Sequence, residues 1–145
     1  MERSQSAQRV LGWFALLGAT LQFFLAGLAV FRAKPHDGDK LFKSSAFDAH
    51  RVVGDALILV TFALLVLAIV NREQIRLAAI LFGLMILQFI LAGVGEDVAA
   101  LGALHPVNGI AILGIAHFLA RGPRAHEREA APPPDEPTSA APAPG

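Results

Sequence analysis

The chain has 145 residues, one domain's worth, of which 54% are hydrophobic; its formal net charge is zero and its mean hydropathy is +0.55. The lack of cysteine excludes disulfides, thiolate metal sites, iron–sulfur clusters and covalently attached c-type haem, and the balanced charge gives no footprint for nucleic acid. Charged residues collect at the termini and in three short connections instead of being interleaved along the apolar runs, which is the pattern of a multi-pass protein whose surroundings are the lipid bilayer.

Residues 1–9 read as a polar N-terminal leader, too short to fold alone. The first apolar run, about 10–31, exceeds a signal-peptide core and has no cleavage site before the next polar stretch, so it reads as a retained membrane helix. Trp13 and Phe14 near its start suit an interfacial anchor, and Gln22 is its one strongly polar residue. The longest connection, 33–49, mixes charge with Leu41, Phe42 and Phe47, which could lie in the headgroup layer or form an irregular loop. A second helix is expected over about 50–70. A polar turn at 71–74 makes it the antiparallel neighbour of a third helix, about 75–94, which carries Gln88. After the acidic turn at Glu96 and Asp97 an apolar stretch runs from 98 to 120, with Pro106 inside it. Proline suits a first turn and disrupts an interior, so the regular helix is placed from about 105 to 120, behind a partial helix at 98–104. From 121 to 145 the composition turns to Pro, Ala, Glu and Arg, a tail with too little to bury and expected to be disordered.

Two phrases occur twice, in the same order. Leu21-Gln-Phe-Phe-Leu-Ala-Gly27 is followed by His50-Arg-Val-Val-Gly54, and Leu87-Gln-Phe-Ile-Leu-Ala-Gly93 is followed by His105-Pro-Val-Asn-Gly109. That order predicts an all-α integral membrane four-helix bundle, built by tandem duplication of one helical hairpin, with His50 and His105 at equivalent starts of the second and fourth helices. Arg3, Arg9, Arg72, Arg76, Arg121, Arg124 and Arg128 would share one face of the membrane, seven cations against the five of Arg32, Lys34, Lys40, Lys43 and Arg51. The bias puts both termini in the cytoplasm and both histidines near the outer face of a bacterial plasma membrane.

Two imidazoles from facing helices at one depth can ligate a haem iron from opposite sides, so His50 and His105 are the candidate metal ligands and haem b the candidate cofactor. Gly54 and Gly109, one turn after each histidine, would let a flat macrocycle approach, and Arg51 could meet a propionate or an anionic lipid. The competing reading assigns the glycines to close helix packing and the histidines to backbone or headgroup contacts. Arg51 could also pair along the helix with Asp55. Gln22 and Gln88 could hydrogen-bond to each other across the first and third helices. His117 is too far around and along its helix to join the pair, and His36 and His126 have no ligand spacing.

The His50-Arg51 pair opening the second helix, with His105 opening the fourth, resembles one four-helix half of haem A synthase over about residues 10–120. The resemblance implies that His50 and His105 ligate haem. Where that family carries a glutamate shortly before the first histidine, this chain has Phe47 and Asp48, so haem ligation is implied and synthesis is not. The phrase Leu-His-Pro-Val-Asn-Gly, 104–109, is similar to one in small uncharacterised four-helix membrane proteins of actinobacteria, which implies the fold without an activity. The expected function is haem binding between the second and fourth helices, for electron transfer or haem handling with a membrane redox partner, and not enzymatic action by the chain alone. The alternative is a cofactor-free interaction or assembly protein. A small transporter is disfavoured by the few charges available to line a path.

Overall fold

The computed structural model of the protein describes residues 2–33 and 44–122, and they form α1 (Glu2–Arg32), a 3-10 turn η1 (Ser45–Phe47), α2 (Asp48–Asn71), α3 (Ile75–Gly95), α4 (Ala99–Gly102) and α5 (Leu104–Arg121). The tail beyond 122 and most of the long connection expected to lie in the headgroup layer fall outside the described residues. Four helical segments are long and apolar enough to cross a membrane: Ser4–Arg32, Ser45–Asn71, Ile75–Gly95 and Ala99–Arg121.

The main packing contacts close a ring in the order α1, α2, α3, α5 and back to α1. Neighbours in that ring are antiparallel, and α2 and α5 stand on a diagonal, running the same way. The core is built from small residues of α1, Ala15 and Ala19, against Leu57 and Leu64 of α2, Leu81 and Met85 of α3, and Ile112 and Leu119 of α5. Small residues let α1 approach closely: a Cβ on Gly12 would lie 2.8 Å from the backbone nitrogen of Ala120. Outside this core the surface is apolar. Phe24, Leu59, Val70 and Ile110 are each more than 60% exposed, and no more than 22% of any spanning window is buried within the bundle. Water would not tolerate so much contiguous apolar surface around a small bundle; hydrocarbon does. Buried hydroxyls in the spans are satisfied locally, Thr61 Oγ1 donating to the carbonyl of Ile58 at 3.0 Å.

Three local features set the ends of the helices. Arg72 and Gln74, both at positive φ, turn the chain from α2 into α3. Pro106 is the third residue of α5, within the first turn, where its missing N–H leaves no helical bond broken. Between them, Gly95 and Gly102 stack so tightly that a Cβ on Gly95 would lie 2.5 Å from the Cα of Gly102, which folds α4 back onto the end of α3.

The start of α1 departs from the expectation of a separate leader: the helix begins at Glu2, well before the apolar run. The reason is a clasp of polar side chains. Ser4 Oγ donates to Asn71 Oδ1, and Asn71 Nδ2 in turn donates to Gln8 Oε1 at 2.9 Å and to the carbonyl of Ser4 at 3.3 Å. Gln5 Nε2 reaches Glu73 Oε1 at 2.6 Å, and Gln8 Nε2 reaches the Glu73 carbonyl at 3.2 Å. Gln8 is buried by this arrangement. Asn71→Ala removes the central partner, at a cost of about 1–2 kcal/mol. The expected result in detergent is faster amide hydrogen exchange over residues 4–9, with protection at Leu64 and Leu81 unchanged.

A candidate cofactor site at the paired histidines

His50 is in the first turn of α2 and His105 in the first turn of α5, so the diagonal of the ring brings the two side chains together at one end of the bundle. Their ring centroids are 6.2 Å apart with planes inclined at 53°. From Asn71 in the clasp back to His50 is 21 residues of α2, about 31 Å at 1.5 Å per residue. The histidine pair and the clasp are therefore about one hydrocarbon thickness apart. Buried Phe47, from η1, meets the ring of His50 edge-on at 6.3 Å and shields its outer side.

Both imidazoles are tethered in the same way. His50 Nδ1 is 3.2 Å from the carbonyl oxygen of Gln22, and His105 Nδ1 is 3.1 Å from that of Gln88. A carbonyl only accepts, so each Nδ1 carries the hydrogen. In the neutral ring the lone pair is then on Nε2, the tautomer a metal-ligating histidine takes when its other nitrogen donates to the backbone. The doubled Leu-Gln-Phe phrase thus supplies, on α1 and α3, the acceptors for the doubled histidine.

The surroundings of the two tethers differ. Asn108, buried one turn after His105, donates from Nδ2 to Gln88 Oε1 at 2.6 Å and to the Leu84 carbonyl at 2.9 Å. The corresponding position after His50 is Val53, which has nothing to donate, and the buried Gln22 Oε1 has no hydrogen-bond partner among the described residues. The glutamines therefore do not join across α1 and α3, as the sequence suggested. Those helices face each other on the second diagonal, and each glutamine instead turns to its ring neighbour: Gln88 to Asn108 on α5, Gln22 to Gly54 on α2.

Both glycines are in close contact. A Cβ on Gly54 would meet Gln22 Nε2 at 2.9 Å, and one on Gly109 would meet Phe23 Cζ at 3.0 Å and Gln88 Nε2 at 3.7 Å. Arg51 is exposed on the flank of α2. Its guanidinium pairs with Asp48, one turn back, and approaches the carbonyl of Ser44 at 3.4 Å. Asp55 is also exposed. His117 lies near the other end of α5, against Phe118. Among the described residues there is no group of three or more His, Cys, Asp or Glu that could hold a metal ion, so of these residues only His50 and His105 would meet a metal at the pair.

A ring of four spanning helices with an apolar exterior and a polar cluster inside one end defines an integral membrane helical bundle. Within that class the chain belongs to a family of unknown function, DUF6220, whose family model matches residues 22–95. The match includes Gln22, His50 and Gln88 and stops before α5, so His105 and Asn108 lie outside it. No curated protein and no solved structure matches the chain.

Proposed function

We propose that His50 and His105 would hold a b-type haem between α2 and α5, and that the protein serves electron transfer or haem handling in the membrane. The observation that supports this reading is the approach of two imidazoles from α2 and α5, each with its Nδ1 on a backbone carbonyl. Two imidazoles on opposite sides of one metal place their centroids ~6.2 Å apart, from a metal–nitrogen bond of ~2.0 Å and ~1.1 Å from nitrogen to ring centre. The observed 6.2 Å fits that arrangement. The donor set fits iron as well, since neutral imidazole is a common haem ligand, and both rings are half-buried at the end of the bundle. When bound, haem would supply a one-electron couple. The chain's part is to present both Nε2 lone pairs, to hold each ring through its Nδ1 hydrogen bond, and to cover His50 with Phe47. For a macrocycle to enter, Phe23 and the Gln22 amide would have to move off Gly109 and Gly54. Both are side chains that turn about single bonds.

The occupied space at those glycines also favours a second reading, a cofactor-free interaction or assembly protein in which the histidines only tie helices together. One preparation separates the two. Protein expressed with added haem, purified in mild detergent and then reconstituted with hemin is expected to show a Soret band at one haem per chain. A preparation that stays colourless through reconstitution overturns the haem reading and leaves the second.

A further inference from the structure

At the end of the bundle opposite the paired histidines, the tight seam between α1 and α5 gathers four exposed side chains that suit a lipid headgroup. Gly12 is level with Ala120, where a Cβ would lie 2.8 Å from the backbone nitrogen. One turn earlier Arg9 reaches across to the end of α5: a Cβ on Gly122 would lie 3.5 Å from its Cγ and Cδ and 3.8 Å from its Nε. Arg121 directly precedes Gly122, so the two arginines are neighbours at the mouth of the seam. Trp13 follows Gly12, Arg121 follows buried Ala120, and His117 follows buried Ala116 one turn deeper. One residue turns about 100° around a helix, and in two antiparallel helices that step turns both side chains to the same side of their contact. The bundle core occupies the other side, so Trp13, His117 and Arg121 share the outer, lipid-facing flank of the seam with Arg9. Arg9 is three residues before Gly12 and His117 three before Ala120, so the four positions fall within about 9 Å along the bundle axis. One turn below His117, exposed Gly114 has no heavy atom within 4 Å of the place its Cβ would take, which leaves a dent in the apolar face.

We propose that this flank binds one anionic phospholipid, its phosphate between Arg9 and Arg121 and an acyl chain lying along Gly114. All four side chains offer donors. Guanidinium groups fit phosphate oxygens in a bidentate fork, and the indole and imidazole N–H groups can reach the remaining headgroup oxygens. Trp13 stands where the apolar span ends, at the level an indole takes among headgroups. Charge selects the lipid: two adjacent cations attract a net negative headgroup and repel the ammonium of a zwitterionic one. The site lies about one hydrocarbon thickness from His50 and His105, and its occupation does not depend on what those histidines bind.

Trp13 is the only tryptophan in the chain, so its fluorescence reports on the lipid at this seam. The full-length protein is reconstituted into phosphatidylcholine vesicles in which a minority of the lipid is brominated phosphatidylglycerol or, in a matched set, brominated phosphatidylcholine. Bromine quenches only at close range, and the anionic lipid is expected to be favoured beside Trp13 by about fivefold, the effect of one well-placed arginine. Arg9→Gln should bring the two lipids close to parity. Arg76→Gln removes the same charge from the same end of the bundle, at the start of α3, and should leave the preference intact. Equal quenching by the two lipids in wild type overturns the proposal, and that result needs no variant to fold. So does a preference that Arg76→Gln abolishes as fully as Arg9→Gln, because the attraction would then belong to the whole charged end and not to the seam.

Discussion

Gly12→Ala is expected to destabilise the bundle by about 2 kcal/mol, although alanine is the better helix former by about 1 kcal/mol. The added Cβ would lie 2.8 Å from the backbone nitrogen of Ala120 and 2.9 Å from its Cα, and backbone cannot rotate aside as a side chain can. Helices α1 and α5 must then separate by several tenths of an ångström along a contact where both are packed against the core. In hydrocarbon the loss matters more than in water, because close van der Waals contact, and not expulsion of water, drives helix association there. Gly83→Ala is the control. No heavy atom lies within 4 Å of the place its Cβ would take, so it should leave stability unchanged or raise it slightly. The measurement is reversible unfolding of both variants in mixed micelles of increasing SDS fraction. If Gly12→Ala unfolds with Gly83→Ala and wild type, the close approach of α1 to α5 is not what holds the ring.

The fold was legible because bilayer hydrocarbon imposes a simple rule. Apolar runs of about 20 residues must be helices, and short polar turns make neighbours antiparallel. That rule predicts an all-α membrane bundle of four spanning helices, and the four spans agree with it. It says nothing about polar residues beyond the apolar run, which is why residues 4–9 look like a leader although Asn71 and Glu73 hold them in α1. At the site, the doubled phrases signal that His50 and His105 share a depth. They do not signal the acceptors, because a backbone carbonyl has no residue identity to read: Gln22 and Gln88 stand out for their side chains, yet it is their main chains that hold the imidazoles. Pairing the two glutamines with each other failed for a topological reason, since their helices are diagonal in the ring and each amide meets its neighbour first. Arg51 shows the limit of spacing rules. Asp55 one turn on and Asp48 one turn back are equally admissible by sequence, and the structure pairs it with Asp48.

His105→Ala and His50→Ala are expected to keep the fold and to differ sharply in what they do to bound haem. Each removes one side-chain hydrogen bond to a carbonyl, worth about 0.6 kcal/mol between membrane helices, so the SDS unfolding midpoint should move little in either apo variant. The spectrum should move a great deal. Without His105 the ligand held by the Asn108–Gln88 support is gone, and the Soret band is expected to fall below one tenth of the wild-type intensity at equal hemin. Without His50 the histidine tethered to Gln88 remains, and the variant should bind hemin with a five-coordinate or water-ligated spectrum. Imidazole added to the buffer should then enter the space left under Phe47 and restore the six-coordinate band. Rescue by imidazole in His50→Ala but not in His105→Ala has a physical reason: in the first variant His105, supported through Gln88 and Asn108, still holds the haem while free imidazole fills the other side, and in the second that supported ligand is gone. Equal and full retention of the band in both variants would remove the histidines from the site altogether, since any haem then bound would be held by something other than the pair.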